Sequence, residues 1–252
     1  MHIRSDGRDE RLRNARAALI ALTHQEVPRT QYRIILVEQG SHSSACEPLR
    51  SFVDECVFAV NEGPYNRSWA LNIGACKAGP GLLCFLDADM VVSRDFLTRC
   101  QDAFCRGARA IVPQQILLYL DRQSTELAAN SLEQTNKVGP GRQSGELFWG
   151  SCGGCICVEA ELYRQVGGHD ERFYGWGRED MDFWIRLSRV TQIEQLPGVL
   201  LHLDHSRPDK NDDAAMHCRQ LWAKIQKGED GPRSALIGDP LRYARECEKI
   251  TG

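Results

Sequence analysis

The sequence predicts an α/β fold: a mostly parallel sheet covered by helices, with a smaller part attached. Three observations predict it. Short apolar runs alternate with helical patterns through the first half, as in βαβ units. One run, Leu82 to Leu86, leads directly into Asp87-Ala88-Asp89, and ligands of open α/β sheets gather at the carboxyl ends of strands. The 252 residues suffice for one large domain, or two small halves sharing a core, that buries most of its apolar surface.

Only Met1 to Ile3 precede the first loop, so the first strand is short. Arg11 to Leu22 is helical by composition, with Leu12, Ala15, Leu19 and Leu22 on one stripe and no Gly or Pro. Arg33 to Val37 and Cys56 to Val60 read as buried strands. Asn66 to Ala78 reads as a helix stopped by Gly79-Pro80-Gly81. The strand Leu82 to Leu86 follows, then the Asp-Ala-Asp turn, a helix from Arg94 to Cys105 and a strand Ala108 to Val112 closed by Pro113. The polar stretch Asp121 to Glu146 reads as a surface helix and then a mobile loop around Gly139-Pro140-Gly141. Ile156 to Val158 returns to the sheet, Glu159 to Val166 is a short helix, and Asp182 to Val190 another. Beyond Asn211 the chain becomes a charged helical tail, Asp212 to Gln226, ended by Pro232 and Pro240.

A formal net charge of −3 offers no electrostatic footprint for nucleic acid. No run reaches the roughly 18 apolar residues of a membrane span, and the charged start, Met1 to Glu10, lacks the apolar centre of a secretory signal. The expectation is a soluble, cytoplasmic protein. Eleven scattered cysteines then read as small buried hydrophobes in a reducing compartment rather than a disulfide framework. Cys152, Cys155 and Cys157 form a Cys-x-x-Cys-x-Cys group, but no fourth ligand stands at a suitable spacing. Cys155 and Cys157 alternate like neighbours on one strand face.

Two carboxylates one residue apart at a strand end suit a hard divalent cation, and such a cation neutralises a nucleotide diphosphate. As a bland alternative, Asp87 and Asp89 would merely cap the helix beginning near Arg94. Downstream stand Phe173-Tyr174-Gly175-Trp176-Gly177-Arg178-Glu179-Asp180-Met181-Asp182 and His202-Leu203-Asp204-His205-Ser206-Arg207. With these the chain resembles a GT-A glycosyltransferase of the β-1,4-galactosyltransferase type. That type's acceptor segment reads Trp-Gly-Trp-Gly-Gly-Glu-Asp-Asp-Asp and its late metal segment His-Ser-Arg-Asp-Lys-Lys-Asn. Tyr65-Asn66-Arg67, Leu71-Asn72-x-Gly74 and Val37-Glu38-Gln39-Gly40 match further segments in order. The resemblance runs from about Ile3 to Asn211.

The resemblance implies a GT-A fold with a Rossmann-like nucleotide-binding sheet. It divides the chain into a nucleotide-sugar-binding half (1–113), an acceptor and catalytic half (114–211) and a helical tail (212–252). The activity implied is metal-dependent, inverting transfer of a hexose or N-acetylhexosamine from a UDP-sugar to an acceptor hydroxyl. A single base facing the acceptor, without a second carboxylate as nucleophile, is the reason to expect inversion. Asp89, His202 and His205 are the implied ligands of Mn²⁺ or Mg²⁺, the imidazole pair favouring a transition ion. Asp87 lies nearer the ribose, and Asp204 either orients an imidazole or is solvated. Arg4, Arg8, Glu38, Asn66 and Arg67 are the implied nucleotide and diphosphate contacts, guanidinium being suited to phosphate.

Asp180 is the implied general base with Glu179 beside it, and the helix starting near Met181 should favour its ionised form. Tyr174 and Trp176 belong to the sugar-facing segment, where an aromatic ring covers a sugar's CH face, and the glycines around them suggest a closing loop. Ser151, with Gly154, falls in the donor pocket where galactosyltransferases carry a Tyr, leaving room for an N-acetyl group. Arg178 and Met181 depart from the pattern, replacing a Gly and an acid. Three alternatives stay open: a retaining enzyme like the polypeptide N-acetylgalactosaminyltransferases, a sugar nucleotidyltransferase, and a non-catalytic sugar-binding relative. The nucleotidyltransferase would want a Gly-rich basic loop after the first strand, of which Ser5-Asp6-Gly7-Arg8 is a poor version.

Overall fold

A computed structural model describes residues 1–4, 9–138, 144–175, 177–206, 213–234 and 236–242. In chain order the elements are β1 (His2–Arg4), α1 (Asp9–Thr23), β2 (Ile35–Gly40), α2 (Cys46–Leu49), β3 (Glu55–Val60), α3 (Arg67–Ala78), β4 (Leu82–Leu86), β5 (Met90–Val91) and α4 (Phe96–Cys105). There follow β6 (Ala110–Val112), β7 (Ile116–Leu120), α5 (Arg122–Thr135), β8 (Gly145–Trp149), β9 (Cys155–Glu159), α6 (Ala160–Gln165), α7 (Glu179–Ser188), β10 (Ile193–Gln195), β11 (Val199–His202) and α8 (Asp213–Lys227).

The expected α/β architecture is present. Strands β1, β2 and β3 form a parallel sheet in which Ile3 lies opposite Glu38 and Val37 opposite Val57. Beyond residue 82 the pairing becomes mixed. In the order β10-β6-β9-β4, β9 runs antiparallel to both β6 and β4. A third sheet, β5-β11-β7-β8, joins β11 parallel to β7 and antiparallel to β5. The sequence reading did not find β5, β7, β8, β10 or β11. Several are two to four residues long, and exposed β8 carries no alternation of buried and open positions.

Local chemistry explains where the helices begin and stop. The Asn66 side chain accepts from the Trp69 backbone N–H at 2.9 Å and caps α3, and Gly79 ends it with a positive φ of 84°. Asp121 caps α5 through Ser124 N–H at 2.7 Å. In α1, Ala15, Leu19 and Leu22 are buried as expected, joining Leu36, Phe96 and Leu200 in the largest core cluster.

One expectation is corrected. Cys46 and Cys56 form a disulfide across ten residues, because Glu38 anchors the start of α2 beside β3. Its buried carboxylate accepts from Ser43 Oγ and from the backbone N–H groups of Ser44, Ala45 and Cys46 at 2.6–2.9 Å. A uniformly reduced set of cysteines is therefore not what the fold holds. The expected helical tail is present as α8 and packs on the rest of the chain. Ala215, Cys218 and Leu221 of α8 are buried, the latter two clustering with Phe173, while Trp69 Nε1–H donates to the Asp239 carbonyl at 2.7 Å. The expected mobile loop falls largely on residues 139–143, outside the described residues.

Candidate active site

The end of β4 is built to hold two carboxylates in fixed positions. Asp87 N–H donates to the Gly154 carbonyl at 3.1 Å, and the Leu203 N–H donates to the Asp89 carbonyl at 2.9 Å. A side chain at Gly154 would force its Cβ to 2.9 Å from the Met90 Cε, and its φ of 86° also suits glycine. The capping alternative fails on position: α4 starts at Phe96, with Asp95 at its N-cap.

Pairing of β5 with β11 places His202 opposite Met90, one residue from Asp89. His205 Nε2 lies 2.9 Å and His202 Nε2 3.8 Å from Asp89 Oδ2. One ligand atom from each of the three residues falls within 4.8 Å of the other two. The Tyr119 ring stacks on His202 at 4.2 Å between centroids and fixes its plane. Asp89 Oδ1 is buried without a hydrogen-bond partner, which a buried carboxylate oxygen tolerates poorly unless it has a ligand to meet. A carboxylate and two imidazoles fit a divalent transition ion. Burial pushes Asp89 up, yet the hydrogen bond to His205 holds it low, and the same bond raises His205 against its own burial. The Asp204 backbone is fixed by Thr125 Oγ1 and the Asn14 amide.

Asp87 faces a different set of partners. His2 Nε2 lies 2.8 Å from its Oδ1, and Arg67 donates to the same oxygen from Nε at 2.9 Å and Nη2 at 2.7 Å. His2 Nδ1 in turn meets the Tyr65 hydroxyl. Burial opposes ionisation of Asp87, but Arg67 and His2 outweigh it and hold the carboxyl well below the usual range. Arg67 also reaches Asp180 Oδ1 at 2.6 Å, and Glu179 Oε1 lies 3.9 Å away. One guanidinium thus links the strand-end pair to the start of α7.

Glu179 and Asp180 open α7 after Arg178, whose φ of 75° is unusual for a residue with a side chain. Such strain marks functional segments. Burial and the neighbouring Glu179 push Asp180 up to about 7 despite Arg67. The helix start therefore does not keep Asp180 in the ordinary carboxylate range. Its Oδ2 sits so near Gly153 that a Cβ there would lie 2.9 Å away. Ser151 Oγ accepts from Gly153 N–H at 3.2 Å.

These groups line one cavity of about 910 Å³, within the size of small-ligand sites. Arg4, Asp87, Asp89, Ser151, Gly154, Glu179, Asp180, His202 and His205 all face it, as does Arg67. Glu38, Asn66 and Tyr174 do not line it. Glu38 is spent on the start of α2, Asn66 on the cap of α3, and Tyr174 stacks on His217 at 4.1 Å. Arg8 and Trp176 lie outside the described residues. The sequence reading missed His2, Tyr119, Gly153 and, from α8, Arg219, all lining the cavity. No motif signals them; their approach depends on strand pairing and on the return of the tail.

The profile of the family described as glycosyltransferase like family 2 matches residues 10–212. Mouse chondroitin sulfate synthase 3 is 28% identical over 155 residues, which is 60% of this chain and 17% of that protein. Human chondroitin sulfate N-acetylgalactosaminyltransferase 2 is 28% identical over 165 residues, 62% of this chain and 29% of that protein. The chain thus spans less than a third of the length of these curated relatives. They do not support the narrower β-1,4-galactosyltransferase type. Among solved structures, GalNAc-T7 with UDP, GalNAc and Mn²⁺ matches at a TM-score of 0.57 and 14% identity, covering 82% of this chain and 44% of that one. That likeness is one of fold.

Proposed function

The chain belongs to the glycosyltransferase like family 2, and from that premise we propose that it transfers an N-acetylhexosamine or hexose from a UDP-sugar to an acceptor hydroxyl, with inversion and with a divalent metal ion. It is a glycosyltransferase; the donor, the metal and the stereochemistry are the proposed parts. The observation that carries the reading is the cavity itself, with an Asp89, His202 and His205 ligand set on one wall and the Asp180 carboxylate on another. The domain division is proposed with it: 1–113 for the nucleotide sugar and 114–211 for acceptor and catalysis. The tail from 212 to 252 then closes one side through α8.

Asp89, His202 and His205 would hold Mn²⁺ or Mg²⁺, which when bound offsets the charge of the departing diphosphate. Arg4 and Arg67 face the same space and suit phosphate oxygens. As donor phosphates draw Arg67 toward them, its grip on Asp180 loosens and that carboxylate is left to accept the acceptor's proton. With Arg67 in place that carboxyl stands at about 7, and losing the guanidinium pushes it further up, making it a stronger base for the acceptor's proton. Ser151 lines the cavity, and so small a side chain in the proposed donor pocket supports an N-acetyl substituent, as do the N-acetylgalactosamine names among the relatives and neighbours.

A hydrolysis screen over nucleotide sugars with Mn²⁺ tests the donor without knowledge of the acceptor. Turnover of a UDP-N-acetylhexosamine, abolished by chelator and restored by Mn²⁺, is expected; undiminished activity in excess chelator removes the metal. His205→Ala should weaken Mn²⁺ affinity at least about 10-fold. Anomeric NMR of the product decides between inversion and the retaining alternative.

A further inference from the structure

We propose that the acceptor carries an anionic group, a carboxylate or a phosphate, which Arg178 and Arg219 hold at the mouth of the cavity. This goes one step beyond the glycosyltransfer reading and rests on it, because it needs Asp180 to face the acceptor. Arg219 belongs to α8, which starts at Asp213, past the residues 10–212 that the family profile matches. The shared profile therefore says nothing of this arginine; the fold brings it to the site.

Three contacts set α8 against the loop that leads into α7. His217 stacks on Tyr174, the Cys218 thiol donates to the Tyr174 carbonyl at 3.1 Å, and Gly175 packs on Ala214 with no room for a side chain. Ala215, Cys218 and Arg219 share one face of α8 by their spacing, and all three line the cavity. The first two are buried and Arg219 is exposed, so its side chain stands where that face opens to solvent. Arg178 follows Gly175 by three residues and precedes Asp180 by two; it too lines the cavity and is exposed. Loop and helix each bring one arginine to the side of the cavity that holds the proposed base.

The carboxylates facing this space are largely matched already. Asp87 and Asp180 both accept from Arg67, and Asp89 pairs with His205. None of them meets Arg178, whose side chain among the described residues contacts the Met181 sulfur at 3.8 Å. A guanidinium so placed offers paired N–H donors to an oxyanion. On the strand-end side, Arg4 and Arg67 suit the diphosphate of the proposed donor, which leaves Arg178 and Arg219 for the acceptor. Arg178 also holds a φ of 75°, a conformation glycine adopts more readily, and strain of this kind gathers at sites where the side chain is used. The bland reading is two solvated arginines, and it gives no reason for an arginine at that backbone.

The test compares acceptors that differ in one group: p-nitrophenyl β-glucoside, the corresponding glucuronide and the corresponding sugar phosphate. Titrated calorimetrically into full-length protein with UDP and Mn²⁺ present, a charged member should bind about 10-fold more tightly than the neutral glucoside, and the difference should shrink as salt rises. Preference for the glucuronide identifies a carboxylate, and preference for the sugar phosphate a phosphate. In Arg178→Gln and in Arg219→Gln the charged-to-neutral ratio should fall toward unity, and Arg178→Lys and Arg219→Lys should restore part of it. A ratio taken within each variant stays readable through a general loss of affinity. Equal binding of all three by wild type, binding of none, or glutamine variants that keep the wild-type ratio overturns the proposal. Should a variant fail to fold, wild type decides by its salt response: a preference unmoved by salt refutes the arginine grip. Failure of the glycosyltransfer reading shows separately, as no hydrolysis of any nucleotide sugar with Mn²⁺.

Discussion

Arg67 is the residue on which the site turns, because a single guanidinium bonds Asp87 and Asp180 from opposite sides. The two acids respond in opposite directions. Asp87, held low, contributes stability that is present above the ordinary carboxylate range and lost as pH falls through its depressed value. Asp180, raised to about 7, binds more protons folded than unfolded, so its ionisation costs stability as pH rises from the ordinary carboxylate range through 7. For the reaction the sign is the other way: the base works only when ionised, so kcat/KM, which reports the free protein, should climb with pH through about 7. Asp180→Asn keeps the shape and should lower transfer by about 10²- to 10⁴-fold while flattening that rise. Initial rates across pH, beside calorimetric titration with UDP and Mn²⁺, check both halves. Nucleotide binding lost as badly as rate would take Asp180 out of the base role.

At the scale of elements, the segment from Ser151 to Gly154 connects β8 to β9 and passes between the strand end and α7. Its glycines are there for closeness, not flexibility. In Gly153→Ala the new Cβ meets Asp180 Oδ2 at 2.9 Å, and a displaced base of this kind should cost about 10²-fold in rate. Thermal melting should move little, since the pressure falls on one side chain. A rate equal to wild type would show that Asp180 can relocate at no penalty. Ser151→Tyr fills the donor pocket and should reverse a preference for UDP-N-acetylhexosamine over the plain UDP-hexose; unchanged preference in paired hydrolysis assays would detach Ser151 from donor selection. Arg178 holds a φ of 75°, a backbone conformation that favours glycine and leaves an arginine here unusual.

Across the whole molecule, two sulfur systems sit at opposite ends of the chemistry, a disulfide on the β2–β3 side and a thiol cluster under β4 and β9. Closing ten residues of chain should stabilise the fold by about 2–3 kcal/mol through loop entropy. Cys46→Ser should therefore lower the unfolding free energy extrapolated from urea titration by that amount, with a lower midpoint. A midpoint that stays put would mean the pairing adds nothing to stability. Such a disulfide is also the feature of this chain that speaks to compartment, because reducing environments keep thiols apart. Among the described residues no helix is long and apolar enough to cross a membrane.

Periodicity and punctuation in the sequence determined α1, α3, β4, β9 and the two acidic motifs, since each depends on residues within one turn or one strand. Asp89 stood out as one of two carboxylates at a strand end, whereas His202, His205 and Asp180 were implied by the resemblance to a glycosyltransferase family rather than by spacing alone. Tertiary structure alone decided which of them meet. His2 reaches Asp87 from a different sheet, Tyr119 reaches His202 through the pairing of β7 with β11, and α8 closes the cavity from far along the chain. It also withdrew Glu38, Asn66 and Tyr174 from the site by giving them caps and stacking partners of their own. Such contacts are set by strand order and by burial, which sum over the whole chain, so no local stretch of sequence announces them.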